Sequence, residues 1–202
     1  MSTGQPRTST GQPRTSTEQP RTSTAQQRTS TGQKSRSVVV VVGNPQAGSR
    51  TAKVAERLGR RLAELVEAAD VHLVDLATLG PALLAWGDPT VAAAKRAVHD
   101  ATVVVIASPT YKAAYTGLLK LFLDQFEHGE LRSVPVVVPL MTGGGPGHAL
   151  AVEVHLRPVL VEIGARVPTA GLYVWGDQVD DPSAPIEAWW AAESAAVAVA
   201  VR

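Results

Sequence analysis

Ser108-Pro109-Thr110-Tyr111-Lys112-Ala113-Ala114-Tyr115-Thr116-Gly117-Leu118-Leu119-Lys120-Leu121-Phe122-Leu123-Asp124 joins two segments of different period. Before it, Ala101 to Ala107 is a β-branched run without alternation, the pattern of a strand buried on both faces. After it, Leu118, Leu119, Phe122 and Phe126 recur at helical spacing on one stripe. A strand, a loop and a helix in that order form half of a parallel βαβ unit. In an open parallel sheet, ligands bind in the crevice beyond the carboxyl ends of the strands. The proline, tyrosines and lysine of this loop therefore stand where a ligand is expected.

The same strand–loop–helix order opens the rest of the chain. Ser37 to Val42 reads as strand one, followed by Gly43-Asn44-Pro45-Gln46-Ala47-Gly48-Ser49-Arg50-Thr51. A helix with Val54, Leu58, Leu62, Leu65 and Ala69 on one face comes next. A glycine loop feeding a helix N-terminus gathers free amides and the positive dipole end at one place, which suits a phosphate. Ser49 and Thr51 add hydroxyls, and Arg50 can fork onto phosphate oxygens. The alternative is a plain helix start capped by Ser49. A Walker A loop is excluded, since Ser49 follows Gly48 directly without the lysine. The dinucleotide fingerprint is also missing, although Asp75 lies near the place of a ribose-binding acid.

Val71 to Leu76 reads as strand two, and Thr90 to Asp100 as a helix. Between them, Ala77 to Pro89 is broken by Gly80-Pro81 and Gly87-Asp88-Pro89, with Trp86 expected to plug the sheet edge. Val134 to Leu140 is strand four. It ends in Met141-Thr142-Gly143-Gly144-Gly145-Pro146-Gly147-His148, where tandem glycines let backbone approach a planar ligand. His148 is expected to open a helix carrying Leu150, Val154, Arg157 and Val161, closed by Gly164, with His148 itself a neutral donor or cap. Arg166 to Trp175 reads as strand five and Pro185 to Val201 as the last helix. His72 and His99 have no partners at metal-ligand spacing, so no metal site is expected.

The 202 residues carry a net charge of +1 with no cysteine, which excludes disulfides, thiol catalysis and Cys-based metal centres. Residues 1–36 hold six cations against Glu18, a net +5, leaving the remainder at −4. With a mildly acidic remainder, the sequence pI says little about nucleic acid, and no nucleic-acid partner is expected. The N-terminal stretch repeats Ser-Thr-Gly-Gln-Pro-Arg-Thr with decay over five units and has no apolar seam. It is expected to be a disordered tail on a domain spanning 37–202, and an inert extension or an early start is preferred over an anionic-surface tether. Neither a secretory signal nor a membrane span is expected, which makes the cytoplasm the default location.

The run from Ser108 to Asp124, the Gly-x-Pro-x-x-x-Ser-Arg-Thr loop and Thr142-Gly143-Gly144 together resemble the NAD(P)H-dependent FMN reductases. The similarity is to the branch that supplies reduced flavin to sulfonate monooxygenases. It implies a flavodoxin-like, doubly wound five-stranded parallel sheet of order 2-1-3-4-5. It implies that FMN sets its phosphate on Ser49, Arg50 and Thr51. The ring would then lie between Pro109, Thr110, Tyr111 and Lys112 on one side and Thr142, Gly143, Gly144 and Gly145 on the other. NADPH or NADH would stack on the open face and pass hydride to flavin, with no protein acid or base needed. FMNH2 would leave for a flavin-dependent monooxygenase. The resemblance also implies a homodimer or homotetramer through the Tyr115 helix, which would carry a widened turn, with Leu118, Leu121 and Phe122 extending the interface; the alternative is that all four face the domain's own core. Two rival readings are a reductase of quinones, azo dyes or metal oxyanions that keeps its FMN, and a flavodoxin-like electron carrier. The modest acidity and the lack of an aromatic residue in the first loop weigh against the carrier.

Overall fold

The computed structural model describes Met1 and residues 36–202, so the reading of the repeat tail lies outside the described residues. Five parallel strands form one sheet in the order β2-β1-β3-β4-β5. They are β1 Val38–Val42, β2 Val71–Asp75, β3 Val103–Pro109, β4 Val136–Gly143 and β5 Leu172–Trp175. This is the flavodoxin-like topology expected from the sequence.

Side chains leave successive strand positions toward opposite faces, so an all-valine strand feeds two cores at once. Val38, Val40 and Val42 face α1 (Arg50–Val66) and α5 (Ser183–Ala200), together with Leu58, Leu62 and Ile186. Val39 and Val41 face the other layer, where α2 (Pro89–Asp100), α3 (Gly117–Leu123) and α4 (Arg157–Glu162) supply Val98, Phe122 and Leu160. Phe122 meets Phe126 edge to face with ring centroids 5.2 Å apart.

Several expectations are corrected. Trp86 is 75% exposed, and the buried side chain of its segment is Leu83, on the 3₁₀ turn Gly80–Leu84. β5 begins at Leu172 and not at Arg166. The stretch before it is held by Arg157, whose guanidinium donates to the carbonyls of Val167 (3.0 Å) and Thr169 (2.6 Å). His148 ends a 3₁₀ turn, Pro146–His148, and a π-turn, Val152–Leu156, and then α4 follow. A π-turn advances the helical phase, and Val152, Leu156 and Leu160 face the core while Leu150, Val154 and Val161 point outward. Gly164, at φ +90°, does follow the end of α4.

The widened turn therefore lies at Val152–Leu156 and not in the helix after Tyr115. α3 is an ordinary seven-residue helix capped by Thr116. Phe122 is fully buried and belongs to the core; Tyr115 and Leu118 are half-buried against it, and Leu121 alone of the four is exposed.

Candidate functional site

The first loop leaves β1 at Gly43, whose amide donates to the Ala107 carbonyl at 2.8 Å. A Cβ at Gly43 would lie 2.4 Å from that of Leu119, so glycine is what lets α3 press against this turn. Thr116 fastens the contact by donating its hydroxyl to the Gly43 carbonyl while accepting from the Leu119 amide. Asn44, buried, accepts from the Gln46 amide at 2.9 Å and donates to the Thr51 hydroxyl at 3.3 Å. Asp75 turns toward this loop and accepts from the Gly48 amide at 2.9 Å. Its carboxylate thus helps to organise the loop.

Ser49 is the N-cap of α1, accepting from the Ala52 amide at 3.2 Å. The cap reading and the anion reading are thus compatible. The amides of Arg50 and Thr51, in the first turn of a 17-residue helix, have no carbonyl one turn earlier to bind. Free amides and the positive helix end at one place are the arrangement that suits an anion. Lys53 extends into the same space and has no carboxylate partner among the described residues, whereas Arg50 lies 3.5 Å from Asp180.

The second loop leaves β3 at Pro109. The Thr110 amide donates to the Thr142 carbonyl at 2.6 Å, which binds this loop to the third. Tyr111 and Ala114 then exchange backbone hydrogen bonds of 2.8 and 3.2 Å around Lys112 and Ala113. Both central residues have positive φ, 52° and 67°, so the turn is of the primed hairpin kind that ordinarily takes Asn-Gly. The third loop leaves β4 at Thr142-Gly143. A Cβ on Gly143 would sit 2.0 Å from the Tyr173 hydroxyl. That hydroxyl donates to the Gly145 carbonyl at 3.2 Å, and the Tyr173 ring stacks on Trp175.

These loops enclose a cleft of about 490 Å³. Ser49, Arg50 and Thr51 line it from the first loop, Pro109, Thr110 and Tyr111 from the second, and Thr142, Gly143 and Gly144 from the third. Lys112 stands at the exposed tip of its turn, outside the lining, and Gly145 faces Tyr173. His148 is exposed and makes no wall of the cleft. Sequence reading missed Asn44, Gln46, Lys53 and Val179, which also line it. Lys53 was within reach, being three residues beyond Arg50 on one helical face. A second groove, about 450 Å³, runs between α3 and α4. Lys120 there is paired with Asp124, and His128 Nδ1 lies 3.4 Å from Glu162 Oε1.

Comparison with known proteins gives one consistent relationship. Residues 36–180 match the family model described as NADPH-dependent FMN reductase. The chain is 38% identical over 141 residues to the NADH-dependent FMN reductase SfnF of Pseudomonas putida, covering 67% of this chain and 75% of that protein. It is 32% identical over 145 residues to the FMN reductase (NADPH) of Escherichia coli K12, covering 71% and 75%. Among solved structures, an apo NADH:FMN oxidoreductase (EMOB) superposes with a TM-score of 0.67 at 30% identity, covering 83% of this chain and 87% of that one.

Proposed function

This chain belongs to the NADPH-dependent FMN reductase family, and from that premise we propose that it passes hydride from a reduced nicotinamide to FMN in the cleft just described. The observation that carries the placement is the convergence of three loops, from β1, β3 and β4, on a single cleft. Its donors suit a phosphorylated, planar ligand. The Thr110 hydroxyl oxygen is buried with no hydrogen-bond partner among the described residues, a cost that a ligand acceptor or donor would remove. The cleft also offers bare backbone at Gly144, where nothing stands within 4 Å of a would-be side chain.

When bound, the flavin supplies the hydride-accepting ring and the reduced product. The protein's part is placement. The Arg50 and Thr51 amides, with the α1 dipole and Lys53, hold the phosphate. Thr110 and the Gly143–Gly144 backbone hold the ring edge, where negative charge grows on reduction and fixed dipoles lower the barrier. Tyr111, half-exposed at the rim, bounds the side left for the nicotinamide. No general acid or base is assigned, since orientation supplies the rate. NADH and NADPH both remain candidates as donor.

We further infer that FMNH2 is handed to a flavin-dependent monooxygenase, and that the enzyme works in the cytoplasm. No helix among the described residues is long and apolar enough to cross a membrane. Self-association through the face of the Tyr115 helix is retained as a proposal, with Phe122 removed from it. Leu121 on α3, Leu150 and Val154 ahead of α4, and Val161 on α4 are apolar side chains left exposed.

The test is steady-state oxidation of NADH and NADPH with and without added FMN. A colourless protein whose rate requires free FMN supports the reading. A yellow protein that turns over quinone without added FMN would assign the tightly bound alternative. Absence of turnover under both conditions would remove the enzyme placement.

A further inference from the structure

Arg50 is the one guanidinium in the phosphate-facing turn, and in the structure it already faces an anion. Its Nη1 lies 3.5 Å from Asp180 Oδ2, with both side chains about two-thirds exposed. Asp180 follows the 3₁₀ turn Gly176–Val179, and Val179 lines the cleft, so the carboxylate stands at the rim of the anion seat.

The neighbouring acids have different work. Asp181 accepts from the amide and the hydroxyl of Ser183, bonds that hold its carboxyl below the usual range, and it pairs with Arg57. It starts α5. The Asp180 side chain makes no such bond, and among the described residues Arg50 is its sole side-chain partner. Meanwhile the hydroxyls of Ser49 and Thr51 bring no charge to a phosphate, and the Thr51 oxygen is already held on two sides. Ser49 caps Ala52, and Thr51 is bonded to Asn44 and Thr142. Recruitable charge in the seat thus comes down to Lys53 and Arg50, and Asp180 holds the second.

We propose that Asp180 is an affinity-setting residue that competes with the ligand's phosphate for Arg50. The inference rests on the FMN reading. A phosphomonoester dianion entering the seat must take Arg50 from Asp180 and then lie beside a like charge. The exposed ion pair is weak enough to be displaced, and the carboxylate that remains shortens the ligand's stay. Such a device fits a flavin that must leave after each turnover and opposes permanent retention. It acts on phosphorylated flavin only.

The experiment titrates FMN and riboflavin, by flavin fluorescence, against the full chain. The variants are Asp180→Asn, Arg50→Ala, the two together, and Asp177→Asn as a control for net charge. The expected result is FMN binding about three- to tenfold tighter in Asp180→Asn, with slower release. Riboflavin should be unaffected by Asp180→Asn, and Asp177→Asn should leave FMN unchanged. Arg50→Ala should weaken FMN and erase the gain in the double variant. Unchanged or weaker FMN binding in Asp180→Asn would overturn the proposal, as would an equal gain for riboflavin or for the Asp177 control. If the unaltered chain binds neither flavin, the FMN reading itself falls and this inference with it.

Discussion

Thr51 and Thr142 share a hydrogen bond of 2.7 Å between their hydroxyl oxygens, although the strands that lead to them never pair. Thr51 sits in the first turn of α1 and Thr142 near the end of β4, with β3 between. The Thr142 carbonyl also accepts from the Thr110 amide. One residue therefore fastens all three loops of the cleft, two through itself and one through Thr51.

Replacing Thr142 with Val keeps the shape and deletes the hydroxyl. The expected cost is about 1–2 kcal/mol, because the Thr51 oxygen stays buried with one partner fewer. The double change Thr51→Val with Thr142→Val should cost less than the sum of the singles. Urea unfolding of the four proteins in a cycle measures the coupling.

Gly143→Ala is expected to displace the third loop, since its Cβ would stand 2.0 Å from the Tyr173 hydroxyl and 2.9 Å from the carbon that bears it. FMN affinity should drop by more than about tenfold, the scale of a misplaced binding backbone. Tyr173→Phe, added to it, should recover part of the loss. Failure of that rescue in a fluorescence titration would show that Tyr173 is not the obstacle.

Lys112 and Ala113 both hold left-handed backbone in a two-residue turn. Each costs about 1–2 kcal/mol relative to a residue suited to it. Exchanging the pair for Asn-Gly should stabilise the fold by about 1 kcal/mol after the entropy of glycine is counted. Chemical denaturation at constant m-value checks it.

Glu153 carries a pH signature. Its carboxyl is held below the ordinary value of 4.5, chiefly by the Arg157 guanidinium and with help from the Gly171 amide. A depressed carboxylate adds stability above its unfolded pKa and loses it as pH falls through the folded one. Stability should therefore fall more steeply as pH drops below about 4.5 in the natural chain than in Glu153→Gln. Arg157→Ala should cost about 2–3 kcal/mol at neutral pH, since it also strips partners from the Val167 and Thr169 carbonyls. Parallel slopes for Glu153→Gln and the natural chain would refute the assignment.

The sheet order and the three loops were legible because the signals are local: β-branched runs, glycines at strand ends, and a helix after each. What escaped detection depends on contacts made at a distance. Leu150, Val154 and Val161 form as good a helical stripe as Val152, Leu156 and Leu160, and only the π-turn decides which one is buried. Trp86 is the bulkier candidate plug, yet Leu83 on its 3₁₀ turn takes the interior place. Ser49, Arg50 and Thr51 were found by motif, whereas Val179 enters the cleft from far along the chain and leaves no trace nearby. The geometry of Lys112 and Ala113 gave no compositional warning, since neither residue favours left-handed backbone.

The sheet order has one more implication, for how the molecule comes apart. The three loops hang from β1, β3 and β4, which are interior and buried on both faces, while the margins are β2, with two exposed residues, and the four-residue β5. Amide exchange should begin at those margins and reach the middle last. A population with frayed outer strands would still possess an assembled mouth, and partial opening and loss of ligand capacity would be separate events.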